Sequence, residues 1–473
     1  MKHTYFQKRI VALALMLIAS SVTMTVASRS VEQARKEAQK LRIKKGPSKA
    51  KAKAGTEYAE PQLVFSKAKE KAKTDEAYYY VFSEGDNCGY TIVSGDDRFP
   101  AIVGYTESGS YDADNIPDNF KNFMQAYQQL LDNATEEQIA EINALKANNS
   151  SKPREAVPPL MTTKWNQGAP YNGMCPEYKN EYSESQKCVT GCTATAMAQI
   201  LRYWKCPKQL QAEIPAYRSQ HLYEKDKFTD MEAIPKGEVY DWDNMLDSYD
   251  TGNETQEQND AVANLMLHVG CACEMKYSPR GSGASAYPEQ YIKDFGMDKE
   301  LTRLIVRDSY NMIEWDNILY NEMINRRPVH YVGRSGNLNY EGHAFVIHGY
   351  DDGLYYVNWG WGGHCDGYFD INVLNPNNDA SDREYGFSAR MIIGIQPENG
   401  KIDEITYPVI KSERAIKFTP TVNTETKNIS GNVEGTPANW GLNGITYVGI
   451  GYKDENSNVI NVCSNPLEIN LET

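Results

Sequence analysis

Beyond its first few dozen residues the sequence has no apolar run approaching the roughly 20 residues that a membrane-spanning helix needs, so no membrane span is expected. Basic residues are in short supply. The 49 lysines and arginines face 63 aspartates and glutamates, giving a formal net charge of −14. No broad basic face is offered to phosphates, and nucleic acid is excluded as a partner. The Lys-rich stretch from Lys36 to Lys73 does not change this, because its lysines mix with Ala, Glu and Gln as in a solvated helix and linker. Internal repeats and strong low-complexity tracts are absent. Cysteine is sparse at nine residues, and the odd count leaves at least one thiol unpaired or bonded to another chain. A zinc site built from Cys188, Cys192, His343 and His364 lacks the second C-x-x-C or H-x-x-x-H that usually completes one, so no metal is expected.

What is present begins with a targeting pattern. Lys2, Lys8 and Arg9 precede an apolar stretch from Ile10 to Ala19, and small residues follow around Thr25–Ser28, where a signal peptidase can cut. Residues 1–28 are expected to be a signal peptide and the protein to be secreted, extracellular or at the cell surface. A chain of 473 residues has room for about two to four domains.

Val31, Ala34, Ala38 and Leu41 fall at helical spacing before a Gly46-Pro47 break. Ala77–Phe82 and Tyr90–Val93 read as strands around a Gly85-Asp86-Asn87 turn. Phe120, Phe123, Tyr127 and Leu130 then mark an amphipathic helix over Asn119–Leu131. Together these make a small α+β unit ending in the polar stretch Lys146–Arg154, which reads as an exposed, cleavable linker. From about Ala156 to Gln396 the composition turns to Trp, Tyr and Gly, with helices first and strands later. Past Gly400 the residues alternate with period 2 and no helix is expected. This β-rich tail of about 75 residues is shorter than the roughly 100 of an immunoglobulin-like sandwich, and reads as an incomplete domain of that kind.

The chemistry concentrates around Gly191-Cys192. Ala194, Met197, Ala198 and Leu201 repeat at helical spacing, so a buried helix starts at or just after Cys192 and ends before Pro207. A thiol at a helix N-terminus is biased toward thiolate, and Gly191 allows a sharp entry. Taken alone, Cys192 is as well explained as a small buried helix residue. An acyl-transfer site also needs an oxyanion donor beside the Cys192 N–H. Gln186, close in sequence, and Gln167, in the turn Trp165-Asn-Gln-Gly-Ala-Pro170, are both candidates.

Seven histidines compete to be the base. His3 belongs to the targeting segment, His268 lies in the helix marked by Val262, Leu265, Met266 and Val269 and reads as structural, and His221 and His330 have no local motif. His343, His348 and His364 remain. His343, Phe345 and Ile347 point to one face of a strand, Ala344, Val346 and His348 to the other. A hairpin through Asp351-Asp352-Gly353 leads to Leu354–Trp359. For an even-length loop, Asn358 shares a face with His343, where its amide can accept the imidazole N–H. His343 is therefore preferred as base.

At these residues the chain resembles the streptopain family of papain-like cysteine proteases, most closely its interpain-type members. The resemblance rests on Trp165–Asn172, Gly191–Tyr203, Gly342–Ile347 and Val357–Gly363, with Tyr90–Pro100 similar to the family's propeptide signature. It implies an α+β, papain-like fold of two subdomains, a helical left part with Cys192 and an antiparallel right sheet with His343. It implies residues 29–154 as an inhibitory propeptide, 155–397 as the catalytic domain and 398–473 as a β-rich segment. The implied activity is broad endopeptidase cleavage favouring a hydrophobic residue two positions before the cut. Protein and peptide substrates and the chain's own propeptide are then its partners, and no cofactor is needed. The resemblance selects Gln167 as the oxyanion donor. Where papain sets a Ser between the orienting Asn and its Trp, Asn358 and Trp359 are adjacent here, so the orienting role falls to one or the other. Tyr277–Ser285 resembles the family's Gly/Ser-rich loop beside the cleft, implying backbone contacts from Ser282 and Gly342 to an extended peptide. Trp361 is assigned to packing. Two rival readings keep the same residues: a Cys-His amidase or transglutaminase, and an inactive protease-like adhesin suggested by the β-rich tail.

Overall fold

The computed structural model describes residues 28–46, 60–69, 76–179, 184–307, 310, 312–334, 342–371 and 389–399, and the backbone of strands between 410 and 471. The expected signal peptide lies, but for Ser28, outside the described residues. The chain divides into two units, residues 1–113 with 135–143, and residues 114–134 with 144–473.

In the first unit, helix α1 (Val31–Lys45) opens on a capping box. Gln33 N donates to Ser30 Oγ at 3.2 Å, Ser30 N donates to Gln33 Oε1 at 2.7 Å, and the helix ends at Gly46. Ala34 and Ala38, one turn apart, lie against Tyr80, Phe82 and Val93. These aromatics belong to an antiparallel sheet of β1 (Gln62–Ala68), β2 (Ala77–Ser83), β3 (Tyr90–Ser94) and β4 (Ile102–Tyr105), in that order. Arg29 ties the entry of α1 to the sheet by donating to Ser94 O at 2.6 Å and Asp96 O at 3.1 Å.

The second unit starts with α2 (Asp118–Asn133), whose buried Phe120, Phe123 and Tyr127 follow the expected stripe. Helix α3 (Glu136–Ser151), whose first half belongs to the first unit, adds to the sequence reading of Lys146–Arg154 as an exposed linker, because the chain is helical up to Ser151. The overlooked signal is Thr135-Glu-Glu-Gln138, a second capping box, with Ile139, Ile142 and Leu145 buried at helical spacing. Beyond it Lys152, Pro153, Glu155 and Ala156 are exposed, while Arg154 is half-buried, its guanidinium pairing with the buried Asp316 and lying 4.6 Å from the Tyr320 ring centroid.

Two short hairpins follow, β5 (Glu177–Lys179) with β6 (Ser185–Lys187) and β7 (Tyr217–Gln220) with β8 (Phe228–Met231). The helical part is built on α4 (Cys192–Trp204) and α5 (Gln256–Ala272). Then come β9 (Arg303–Val306), α6 (Met312–Ile324), β10 (Val329–Arg334), β11 (Gly342–Asp351), β12 (Leu354–Asn358), β13 (Gly367–Phe369) and β14 (Arg390–Ile393). The strands join as β13-β12-β11-β10-β14-β9, antiparallel at every step. Met197, Ile200 and Leu201 of α4, Leu265 and Val269 of α5, and Ala344 and Val346 of β11 share one core. This is the α+β arrangement of a helical part and an antiparallel sheet. In the tail, backbone strands pair antiparallel, Lys417–Asn423 with Asn428–Glu434 and Gly444–Val448 with Leu467–Leu471.

Candidate active site

Gly191 sits at φ 87° and ψ 145° immediately before α4. A Cβ there would lie 2.8 Å from Ser282 O and 2.9 Å from Met275 Sδ, so only glycine fits this approach. The turn delivers Cys192 as the first residue of α4, partly buried and facing the start of β11. Ala344 N donates to Cys192 Sγ at 3.4 Å, and the neighbouring His343 side chain hydrogen-bonds the thiol. Burial pushes the thiol upward. The His343 hydrogen bond and charge, with the backbone N–H groups of Ala344 and Thr193, outweigh this and hold it below its ordinary value. Four other cysteines of this unit behave oppositely: burial first of all raises Cys175, Cys188, Cys271 and Cys273, each to about 12. Eight cysteines fall among the described residues and all are free thiols.

A cleft of about 740 Å³ opens at the thiol, lined among others by Gln167, Cys192, Ser282, Gly342, His343 and Trp361. Thr190 N donates to Gln167 O at 3.0 Å, which fastens the Gln167 turn to the segment entering α4. Gln186, the other glutamine weighed, is exposed in β6. Ser282 Oγ donates to Val189 O at 2.7 Å and accepts from Ser278 N at 3.0 Å, so the Gly/Ser-rich loop is pinned beside Gly191. Trp361, assigned to packing from sequence, is part of the cleft wall.

The comparisons with known proteins agree with this geometry. The family model described as "Peptidase C10 family" matches residues 165–369, and that described as "Spi protease inhibitor" matches residues 19–131. Streptopain of Streptococcus pyogenes is 35% identical over 315 residues, 63% of this chain and 75% of streptopain. The chain belongs to the peptidase C10 family, the streptopain type of thiol protease. Thiol protease/hemagglutinin PrtT of Porphyromonas gingivalis is 31% identical over 350 residues, 70% of this chain but 38% of that longer protein. A solved fragment of Prevotella intermedia prointerpain A matches with 32% identity and a TM-score of 0.55, covering 72% of this chain and all of the fragment.

Within this peptidase C10 domain the structure corrects one sequence expectation. Asn358 does not share a face with His343. The two-residue Asp352-Gly353 loop pairs Asp351 with Leu354 and Tyr350 with Tyr355, which by itself would set Asn358 opposite Ile347, on the His343 face. A β-bulge at His348–Gly349 inserts one extra residue, and Asn358 pairs with Val346 instead. A one-residue slip sends every later side chain to the other face. The Asn358 amide is then fully used. Its Nδ2 donates to Thr163 O at 2.8 Å and Gln199 Oε1 at 3.1 Å, while its Oδ1 accepts from Gln199 Nε2 at 3.1 Å and Gly360 N at 3.0 Å. No capacity remains for an imidazole.

Trp359 takes the opposite face. Its ring centroid lies 4.9 Å from that of Phe345, which alternates in phase with His343. Its Nε1 donates to Cys365 O at 3.0 Å and its N to Asp366 Oδ1 at 2.9 Å, with burial pushing the Asp366 carboxyl up to about 7.

Gln199 was missed from sequence. It lies seven residues after Cys192, buried in α4, and also accepts from Trp165 N at 3.3 Å. A glutamine in the apolar stripe of a buried helix was the available signal. Four other described histidines make bonds away from the thiol. Met161 N donates to His348 Nδ1 at 3.2 Å, His330 meets Tyr291 Oη at 2.9 Å, and burial brings each ring down to about 3. His268 meets Tyr240 Oη at 3.2 Å, and His364 meets Asn115 O at 2.8 Å.

Part of the segment matched by the inhibitor model folds inside this same unit. Asn119 Nδ2 of α2 donates to Trp359 O at 2.7 Å, and the Phe120 and Phe123 centroids lie 5.6 and 5.9 Å from that of Trp359. Asp118, at the start of α2, lines the cleft.

Proposed function

We propose that the chain is the precursor of a secreted cysteine endopeptidase that works by Cys-His acyl transfer. The supporting observation is an activated thiol, Cys192, placed by Gly191 at a helix N-terminus and coupled to His343. The thiolate attacks the peptide carbonyl to form a C–S bond. The Cys192 N–H and the Gln167 amide donate to the resulting oxyanion. His343 hands its proton to the leaving amine as the C–N bond breaks. Water, deprotonated by His343, then cleaves the thioester and returns the thiol. Trp359, rather than Asn358, keeps the His343 face in place. Ser282 and Gly342 flank the cleft as backbone partners for an extended substrate, and apolar walls at Val332 and Ala344 favour a hydrophobic residue two positions before the cut. Secretion rests on the pattern of residues 1–28.

The precursor is latent because residues 115–133 sit on Trp359 and His364 and bring Asp118 to the cleft. Release needs a cut after that segment, and the largely exposed stretch between about Lys146 and Glu155 offers one. The test is labelling by an epoxide-type thiol inhibitor together with cleavage of a denatured protein. Cys192→Ala should abolish both and leave full-length precursor, Cys188→Ala should retain both, and wild-type precursor should label more slowly than the processed form. An amidase or transglutaminase would instead label normally, spare peptide bonds and catalyse glutamine–amine exchange.

A further inference from the structure

One wall of the cleft carries a charge that the reaction above does not use. Ala344, whose N–H meets the Cys192 sulfur, pairs in register with Val332, and Val332 pairs with Arg390. Directly opposed residues share a face, so Ala344, Val332 and Arg390 form one row across β11, β10 and β14. With strands about 4.8 Å apart, the Arg390 backbone lies roughly 10 Å from that of Ala344. All three residues line the cleft, and Tyr287 closes the far end with its ring centroid 5.5 Å from the guanidinium carbon.

Among the described residues the Arg390 guanidinium is only partly satisfied. Its Nε is buried without a hydrogen-bond partner, and among the described residues it enters no ion pair. Asp118 and Glu274 line the same cleft, yet neither pairs with it. Its charge is felt behind the wall, where, after burial, it is the second cause of the lowered His330. A partly buried cation without a counter-charge is costly, and a ligand that brings the missing carboxylate recovers that cost.

The geometry says which substrate residue supplies it. In an extended peptide whose carbonyl is at Cys192, successive residues rise about 3.3 Å and alternate sides. The residue two positions before the cut then directs its side chain along the Ala344–Val332–Arg390 row. A short apolar floor ending in a guanidinium suits a side chain with a methylene stem and an anionic tip. We propose that Arg390 is a specificity-determining residue that selects a carboxylate two positions before the cut, glutamate above its neutral isostere glutamine. The inference rests on the peptidase reading and adds, among polar side chains, a charge preference to the hydrophobic one expected at that position.

The test uses the full-length chain after activation, with thiols titrated by an epoxide inhibitor so that misfolded molecules drop out. Fluorogenic peptides differing only at that position, Glu, Gln or Leu, are compared by kcat/KM. Glu should exceed Gln by roughly tenfold at low salt, a margin that narrows as salt rises. Arg390→Gln should bring the Glu-to-Gln ratio to about one, Arg390→Lys should restore part of it, and Arg390→Glu should invert the preference toward a lysine peptide. A wild-type ratio near one with the Leu peptide cleaved overturns the inference and leaves the peptidase reading standing. So does an unchanged ratio in Arg390→Gln. A titratable thiol that cleaves none of the peptides overturns the peptidase reading, and this inference with it.

Discussion

Helix α4 and the hairpin β11–β12 each deliver one half of the proposed Cys192–His343 pair, and they hold their side chains in place by different means. In α4 the position of Cys192 is set locally. Gly191 makes the turn, the helix starts, and Ala194, Met197, Ala198 and Leu201 fall on the buried face at 3.6 residues per turn. In the hairpin the side on which a residue lands depends on everything between it and the loop, because one extra residue reverses the face. The bulge at His348–Gly349 does this, turning Asn358 toward Gln199 and Trp359 toward Phe345. A helix tolerates local reading; a hairpin must be counted residue by residue.

The comparison breaks most completely at the helix entry. Gly191→Ala places a Cβ within 2.8 Å of Ser282 O at a φ of 87°, where something in the backbone must move. The expected result is loss of the titratable Cys192 thiol and destabilisation of about 2–4 kcal/mol, seen as a lower denaturation midpoint. A variant that titrates and melts like wild type would show that the turn is not what sets the nucleophile.

The hairpin gives the next effect. Asn358→Ala leaves Thr163 O, Gly360 N and the Gln199 amide without partners, a loss of about 2–4 kcal/mol in stability. Turnover per titrated thiol should fall less than it does in Trp359→Leu. If Asn358→Ala instead keeps its melting midpoint and loses kcat, Asn358 orients His343 after all and the bulge has been given too much weight.

The smallest effect concerns the electrostatic link between the two elements. The Cys192 pKa is lowered, so alkylation by iodoacetamide should switch on, as pH rises, below the ordinary thiol range of about 8.5. His343→Ala removes the hydrogen bond and charge that oppose burial, so the midpoint should move upward. An unmoved midpoint would assign the shift to the helix terminus alone.

Much of the site was legible because its parts are short and local. The Gly191-Cys192 helix entry, the α1 stripe and the His343 strand all follow from residues within about two helical turns of one another. Helix α3 escaped because the polar Asn148-Asn149-Ser150-Ser151 end outweighed its capping box in the reading, although the buried Ile139, Ile142 and Leu145 carry it through. Gln199 escaped because its partners, Asn358 and Trp165, lie 159 and 34 residues away.

By itself the sequence determined that the fold is α+β and pointed to Cys192 as the candidate nucleophile and to the strand of His343 as that of the candidate base, through periodicity, single glycines and the family resemblance. Only the tertiary structure decided which face Asn358 occupies, that Gln199 joins the helix to the sheet, and that Arg390 reaches the cleft wall beside Val332 and Ala344. The reason is that strand register and buried polar pairing are settled between segments distant in the chain. A one-residue bulge or a cross-strand neighbour leaves no period in the local sequence from which to read it.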